Sequence, residues 1–411
     1  MDMLMAASPH NPLSLQSGER GACPACASRV LSRIATVPDV PTNSCLMLDH
    51  EAEAVAFPRG DINLAFCEEC GFLFNRAFDP KLCEYSDRYK PTQAYSPTFN
   101  RFHQDLAARL AARVDLAGRT VVEVGCGQGE FLHLLCGLTG ATGIGFDPCF
   151  DHRRDDVVLD RASTVRLFGE FFSEASIQGL TADLLVCKMT LEHIPAVGRF
   201  AALAAVVARQ SAPGMRLFIQ IPDSERILRD CAFEDIYYEH CNYFSAPSLR
   251  GLFARHGFRT EEIFSEYGGQ YLAILARYEG GVTEAPDAAA MARLRDRIGE
   301  FRTALALKVE SWRGIVAERR ARGHRIVLWG SGSKGVSFLT ALGQDAAISQ
   351  VVDINPHRQG HFMAGSGHPI VGPEALRALR PDTVIVMNAV YVPEIEALLA
   401  GMGLRPEVLA L

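Results

Sequence analysis

Residues Val121 to Leu132 read VVEVGCGQGEFL, a hydrophobic strand that runs into three alternating glycines and out into a helix. This stretch restricts the fold more than any other, because a strand, tight turn and helix in this order belong to a wound α/β sheet. Glycine lets the backbone turn at Gly125, Gly127 and Gly129 and pass close to a ligand where Phe131 and Leu132 continue the helix. The spacing is neither the GxGxxG of a dinucleotide site nor the GxxxxGK of a phosphate loop; it is E-x-G-x-G-x-G. The next hydrophobic run, GIGFDP, closes on Asp147 about 20 residues on, where a doubly wound fold holds a ribose hydroxyl. A glycine turn alone is an ordinary structural turn. With Glu123 before it and Asp147 after it, it points to a nucleoside ligand.

The chain has 411 residues, too many for one ordinary core, so two or three domains are expected. Its composition is that of a globular protein, 48% hydrophobic and 22% charged, with a formal net charge of -7. An acidic balance without a basic stripe argues against a nucleic-acid partner, and the run Arg319, Arg320, Arg322 reads as the cationic end of a helix. The N-terminal MDMLMAASPHNPLSLQ lacks the charge and apolar pattern of a signal peptide, and no later stretch has the ~20 apolar residues of a membrane span. A cytoplasmic protein is expected, so its 12 cysteines read as thiols and metal ligands rather than disulfides.

Four of those cysteines form a pattern. Cys23-Pro-Ala-Cys26 and Cys67-Glu-Glu-Cys70 make a CxxC…CxxC pair, in which two tight turns each present two thiolates to one ion. A four-sulfur Zn2+ site is closed to substrate, so the expectation is a structural zinc that folds a small module; a redox pair is the competing reading. Cys45 and Cys83 lack such partners and read as buried thiols.

The zinc-binding module is expected over residues 21–80, followed by a tyrosine-containing segment, YSDRYKPTQAYSPTF, and an amphipathic helix from about Phe99 to Val114. Strands VVEVG, TGIGFD, ADLLVC, RLFIQIP and YLAILARY then build a doubly wound sheet, giving a nucleoside-binding domain over 81–283. A charged Ala- and Arg-rich helix spans 284–322 as a connector. Residues 323–411 start a second α/β pattern: strand RIVLWG, turn GSGSKG, then strands QVVDINP and TVIVMN. Lys334 and the glycines of GSGSKG are candidate nucleotide ligands, with Asp353 at the ribose position, against the plainer reading of a structural turn.

VEVGCGQGEFL resembles motif I of class I S-adenosylmethionine (SAM) methyltransferases. With CxxC…CxxCG, LEHIP at 191–195, YYEHCNYFS at 237–245 and GSGSKG…VVDINPHRQG…PDTVIVMN, nearly the whole chain resembles the three-part family that includes the nucleotide-sugar C-methyltransferases. The resemblance implies an α/β fold: a class I methyltransferase Rossmann-like domain with an N-terminal zinc-binding module and a second, C-terminal Rossmann-like domain. It implies SAM bound by Glu123, Gly125, Gly127, Gly129 and Asp147, structural Zn2+ on Cys23, Cys26, Cys67 and Cys70, and a small-molecule acceptor such as a sugar nucleotide. It also implies a base and oxyanion partners at His240, with Glu239 and Tyr237, and at His193. Two departures stand out. Lys188 and Met189 replace an Arg-His pair carried by many relatives before LEHIP, and MNAVY replaces a Trp-Asn-Phe of sugar-modifying members.

The chemistry of the residues agrees with that assignment. Carbon methylation needs a carbanion-like nucleophile, and an enolate next to a carbonyl is the accessible one near neutral pH. His240 has the near-neutral intrinsic pKa of a base, Glu239 or another carboxylate can orient it, and Tyr237 and Tyr238 can donate to an enolate oxygen. The bland alternatives are a core histidine for His240 and a turn cap for His193. Tyr85, Tyr89 and Tyr95 are expected as a lid or clamp, or as aromatic packing between domains. Two other functions compete: transfer or cyclisation of the aminocarboxypropyl arm of SAM, and a non-catalytic SAM- or nucleotide-binding module.

Overall fold

The computed structural model describes residues 21–83, 88–89, 92–152, 164–282, 284, 287–343 and 347–411. Tyr85 of the expected aromatic clamp lies outside them.

The N-terminal region holds β1 (Leu31–Pro41), β2 (Arg59–Cys67) and β3 (Leu73–Asn75), paired antiparallel in that order. The next sheet opens with β4 (Thr120–Val124), β5 (Thr142–Phe146), β6 (Val165–Phe168), β7 (Leu184–Lys188) and β8 (Arg216–Pro222), which pair parallel with one another. β4 and β7 are buried along almost their whole length, as strands covered on both faces must be, which is why they read as unbroken hydrophobic runs. The chain then leaves this sheet for β9 (Asn242–Tyr243), which pairs with β3 and closes the N-terminal sheet. It returns through β10 (Phe258–Glu266) and β11 (Tyr271–Tyr278), so the large sheet runs β10-β11-β8-β7-β4-β5-β6, with β11 antiparallel to both neighbours.

The C-terminal sheet is parallel: β12 (Ile326–Trp329), β13 (Ile348–Val352), β14 (Ile370–Val371), β15 (Thr383–Val386) and β16 (Glu407–Ala410), in the order β14-β13-β12-β15-β16. β10, β14 and β16 do not follow from the hydrophobic runs of the sequence. All three are edge strands, and β10 alternates polar with apolar residues because one face meets solvent.

Local chemistry sets the helix ends. Ser96 caps the helix Pro97–Arg113 by accepting from the Phe99 N–H at 3.2 Å, with proline at the first helical position. The helix Glu130–Thr139 that follows the glycine turn stops at Gly140, which is left-handed at φ 73.

The long helix Ala288–Ala321 is more than a spacer. Met291, Leu294, Ile298 and Phe301 on its first half pack into the core that β1, β2 and β3 supply, while Trp312 and Val316 pack beside Phe338 in the C-terminal core. One rigid element therefore fixes the N-terminal and C-terminal regions against each other. Among the described residues no helix is long and apolar enough to cross a membrane.

Tyr238 corrects an expectation drawn from the sequence. It is not available to an enolate: its ring is fully buried against Phe78, and its hydroxyl accepts from the Asp79 N–H at 2.9 Å. Tyr238→Phe removes that acceptor while keeping the ring. The denaturant midpoint should fall by the equivalent of about 1–2 kcal/mol, and an unchanged midpoint would show that the hydrogen bond is not stabilising.

Candidate active site

In a doubly wound sheet the ligand crevice opens where neighbouring strands send their chains in opposite directions. In the large sheet this occurs between β4 and β7, and in the C-terminal sheet between β12 and β15. The two carboxyl edges face one another across a single cavity of about 500 Å³. Its walls include Gly125 to Gln128 and Lys188 to Thr190 on one side, and Gly330, Ser333, Asp353 and Met387 on the other.

The glycine turn has the geometry of a cradle. Gly125, Gly127 and Gly129 all take positive φ, at 72, 56 and 85. A Cβ on Gly125 would stand 2.0 Å from Thr190 Oγ1, whereas one on Gly127 would meet nothing within 4 Å, so the backbone there faces open cavity. Asp147 Oδ2 accepts from the Gly127 N–H at 2.8 Å, which joins the acidic residue to the turn. Glu123 is 2% exposed, and its Oε2 has no protein partner. Burial pushes its carboxyl up to about 8. A buried carboxylate that is unpaired costs free energy unless a ligand donor meets it.

Lys188 is buried at the mouth of β7. Its ammonium donates to His103 Nε2 at 3.0 Å and lies 5.2 Å from the Phe131 ring centroid. Burial, with Lys188 alongside, pushes the His103 imidazole down to about 2, so it is a neutral acceptor. Burial also lowers the Lys188 ammonium from its usual range, against the opposing pull of Glu123, Glu130, Glu266 and Glu192. Met189 follows in a left-handed conformation, φ 53, and lines the cavity.

His240 and His193 come together. Their ring centroids are 4.8 Å apart, and both line the cavity. The Asn242 side-chain amide donates to Ile194 O at 2.6 Å, tying YYEHCNYFS to LEHIP. His193 Nδ1 lies 3.1 Å from Glu239 O; a nitrogen facing a carbonyl must be the protonated one, so Nε2 is the acceptor. Burial pushes His193 down to about 4. Burial, with His193 and Lys334 nearby, also holds His240 well below its ordinary value. Tyr237 Oη lies 2.6 Å from His240 Nε2, while His240 Nδ1 is buried without a protein partner.

Glu239 does not orient the imidazole. Its side chain lies behind the cavity wall and accepts from Ser44 Oγ, from Asn43 Nδ2 at 3.3 Å and from Tyr89. The carboxylate near His240 is Glu192, whose Oε1 lies 3.9 Å from Nε2 and whose Oε2 has no protein partner. Glu192 stands inside LEHIP, so a signal for it existed in the motif, but only the turn Leu191–His193 directs it inward.

In the C-terminal domain the expected nucleotide ligands have other partners. Lys334 Nζ donates to Asp235 at 2.7 Å. Asp353 accepts from the Ser331 N–H at 3.0 Å, the Asn355 N–H at 2.8 Å and Arg358 at 3.3 Å, and so fastens its own turn. Tyr89 and Tyr95 line the cavity, and Tyr95 meets the His357 ring at 6.0 Å. Cys45 also lines it, 3.6 Å from Arg358 Nη2, whereas Cys83 donates to Thr42 O at 3.5 Å.

Away from the cavity, the sulfurs of Cys23, Cys26, Cys67 and Cys70 lie within 4.8 Å of one another. Cys23 to Cys70 is 3.6 Å and Cys26 to Cys67 is 3.5 Å. The edge of a tetrahedron with ~2.3 Å metal–sulfur bonds is about 3.8 Å, so the four sulfurs fit one zinc ion.

Known proteins resemble the chain along most of its length. The family model described as a methyltransferase domain matches residues 96–263, and the one described as a C-methyltransferase C-terminal domain matches residues 284–403. C-methyltransferase NovU of Streptomyces niveus is 27% identical over 354 residues, 81% of each chain. A probable S-adenosylmethionine-dependent methyltransferase of Mycolicibacterium smegmatis is 27% identical over 202 residues, 48% of this chain and 74% of that one. A solved SAM dependent methyltransferase from Aquifex aeolicus is 18% identical and covers 46% of this chain and 100% of its own, with a TM-score of 0.35.

The buried carboxyls make a pH prediction. A carboxyl raised to about 8 in the folded chain, as Glu192 is by burial, binds its proton more tightly there than in the unfolded chain. Stability of the ligand-free protein should therefore fall as pH rises from the unfolded value near 4.5 towards 8, and level off above. Glu192→Gln should flatten that slope by a few kcal/mol across the window, on the order of 1.4 kcal/mol per pH unit. Denaturant titrations from pH 5 to 9 measure it; a variant with the wild-type slope would mean that Glu192 is already ionised in the fold.

Proposed function

The chain belongs to the SAM-dependent C-methyltransferases, and from that premise we propose that it methylates a carbon beside the ketone of a keto sugar nucleotide, with His240 as the base. The observation that carries this reading is that His240, packed against Tyr237 and His193, lines the same cavity as the glycine turn. When bound, SAM supplies an electrophilic methyl on a sulfonium.

Glu123, Gly125, Gly127, Gly129 and Asp147 are the residues assigned to hold it: the positive-φ turn admits a close ligand, and Glu123 has a carboxylate oxygen to offer. The His240 imidazole takes the proton α to the ketone. His193, with its proton held by the Glu239 carbonyl, presents a bare Nε2 and serves to position a substrate hydroxyl. The wall contributed by Ser333, Asn355, Arg358, Asn388 and Tyr391 offers polar groups to an acceptor larger than a simple ketone.

Structural zinc on Cys23, Cys26, Cys67 and Cys70 completes the reading, because the two turns bind the edge of a sheet whose last strand, β9, carries the catalytic loop. Elemental analysis should give about one zinc per chain. Chelation should lower the melting temperature and abolish turnover together; metal-free protein with an unaltered melting temperature would overturn the assignment.

The reaction is tested with methyl-labelled SAM and a panel of 4-keto nucleotide sugars, with the nucleoside product identified by mass spectrometry. S-adenosylhomocysteine with a methylated sugar is expected. Methylthioadenosine would instead indicate transfer or cyclisation of the aminocarboxypropyl arm. His240→Ala should abolish turnover, a loss of about 10²–10⁴-fold or more, with SAM affinity within a few-fold of wild type. Parallel loss of affinity would make His240 structural.

A further inference from the structure

A second cavity, of about 360 Å³, adjoins the active cavity. Four residues, Gln270, Lys334, Met387 and Asn388, line both. The partition between them is noncovalent. Gln270 Nε2 donates to Asn388 Oδ1 at 2.8 Å, Asn388 Nδ2 donates back to Gln270 Oε1 at 3.0 Å, and Lys334 Nζ donates to Asp235 at 2.7 Å.

One wall of the second cavity is the short turn Phe233–Asp235, which is held at both ends. The Phe233 ring stacks on Phe338 with centroids 6.2 Å apart, and Asp235 accepts from both Arg226 and Lys334. Between these anchors Glu234 is 3% exposed. Among the described residues its side chain has no hydrogen-bond or ion-pair partner, and its oxygens are not sealed off by protein, so the carboxyl opens on the cavity that it lines. Burial and the neighbouring Asp235 raise this carboxyl above its ordinary value, the condition of an acid that lacks a cationic donor.

The charges around the cavity identify what is missing. Arg226 pairs with Asp230 at 3.3 Å and with Asp235, and Lys334 also pairs with Asp235. Lys308, half-buried on the long helix, has no hydrogen-bond or ion-pair partner among the described residues. Arg226, Lys308 and Lys334 therefore stand against Asp230, Glu234 and Asp235, a balance of three charges of each sign. A phosphate would meet the three carboxylates and a divalent cation the three cations, so neither is favoured. One carboxylate and one ammonium are left unmatched.

We propose that the second cavity binds a small zwitterion, a free α-amino acid, with its ammonium on Glu234 and its carboxylate on Lys308. Charge-assisted hydrogen bonds at both ends supply the partners that these two side chains lack. The cavity volume lies at the low end of the range of about 300–1,000 Å³ typical of small-ligand sites, as a ligand of this size requires. Because Gln270 and Asn388 belong to both cavities, the bound amino acid and the active site share a wall without sharing a ligand.

The test is isothermal calorimetry on the full-length protein saturated with S-adenosylhomocysteine, which occupies the amino-acid end of the SAM site. The common L-amino acids are titrated, and each one that binds is compared with the amine lacking its carboxylate and the acid lacking its amino group. At least one amino acid should bind at about one per chain, and both analogues should bind about tenfold more weakly or worse. Glu234→Gln and Lys308→Ala should each weaken binding about tenfold or more, Lys308→Arg should restore most of it, and S-adenosylhomocysteine affinity should be unchanged in all three. Binding of no amino acid, equal binding of the amine or the acid, or wild-type affinity in Glu234→Gln overturns the site. Binding that disappears on saturation with S-adenosylhomocysteine overturns it as well, since the amino acid would then occupy the active cavity.

Discussion

β9 pairs only two of its residues with β3, yet that pairing decides where the site forms. The loop from Tyr237 to Cys241 belongs to the stretch of chain between β8 and β10 of the large sheet, but its backbone is anchored by the sheet of another region. Cys241 donates to Glu192 O at 3.4 Å and Asn242 to Ile194 O, so the same loop is pinned against the turn after β7. With both ends held, His240 has little freedom, and a base that must meet one C–H bond gains from that rigidity. Cys67 ends β2 and Cys70 stands in the turn into β3, the strand that holds β9, so metal bound there would stiffen the support of a residue it never touches.

The facing of two carboxyl edges accounts for the unusual number of buried ionisable groups. Glu123, Lys188, Glu192, Glu239 and His240 are all at least nine-tenths buried. In a hydrophobic core such groups would be neutralised or eliminated, because desolvation outweighs most pairings. Here they ring one cavity or stand just behind it. Glu123, Glu192 and His240 each keep an atom without a protein partner, which is the condition of a site built to receive a ligand. Lys188 stands among Glu123, Glu130, Glu192 and Glu266 and opposes the upward shift that burial imposes on Glu123 and Glu192.

Motif by motif, the sequence shows the parts more clearly than their partners. VVEVGCGQGEFL identifies a strand, its turn and a ligand because each residue acts on its own neighbours: branched residues fill a covered strand, and glycines take positive φ. CxxC…CxxC identifies a four-sulfur cluster because the ligand spacing is local within each half. His240, Tyr237 and His193 could be selected by residue type, and they do converge. Their hydrogen-bond partners could not be selected in the same way. Adjacency made Glu239 the obvious carboxylate for His240, but Glu239 stands in a tight turn, closed by the His240 N–H on Tyr237 O, that leaves its side chain on Ser44 and Asn43, so it is Glu192, 48 positions earlier, that lies near the ring. Ser44 and Ser333 carry no motif that pairs them, yet their hydroxyls, 289 positions apart in sequence, meet at 2.6 Å.

What the sequence determined by itself is therefore the inventory: three α/β or zinc-type units in order, a nucleoside turn, and a histidine-rich pair of loops, all written in short-range spacing and periodicity. Tertiary structure alone decided that the two sheets face each other, that the long helix Ala288–Ala321 locks the outer regions together, and that Tyr238 belongs to the core while Tyr237 belongs to the site. The physical reason is that a local pattern specifies which face of an element is apolar, whereas the partner of a buried polar atom is set by packing between elements far apart in the chain.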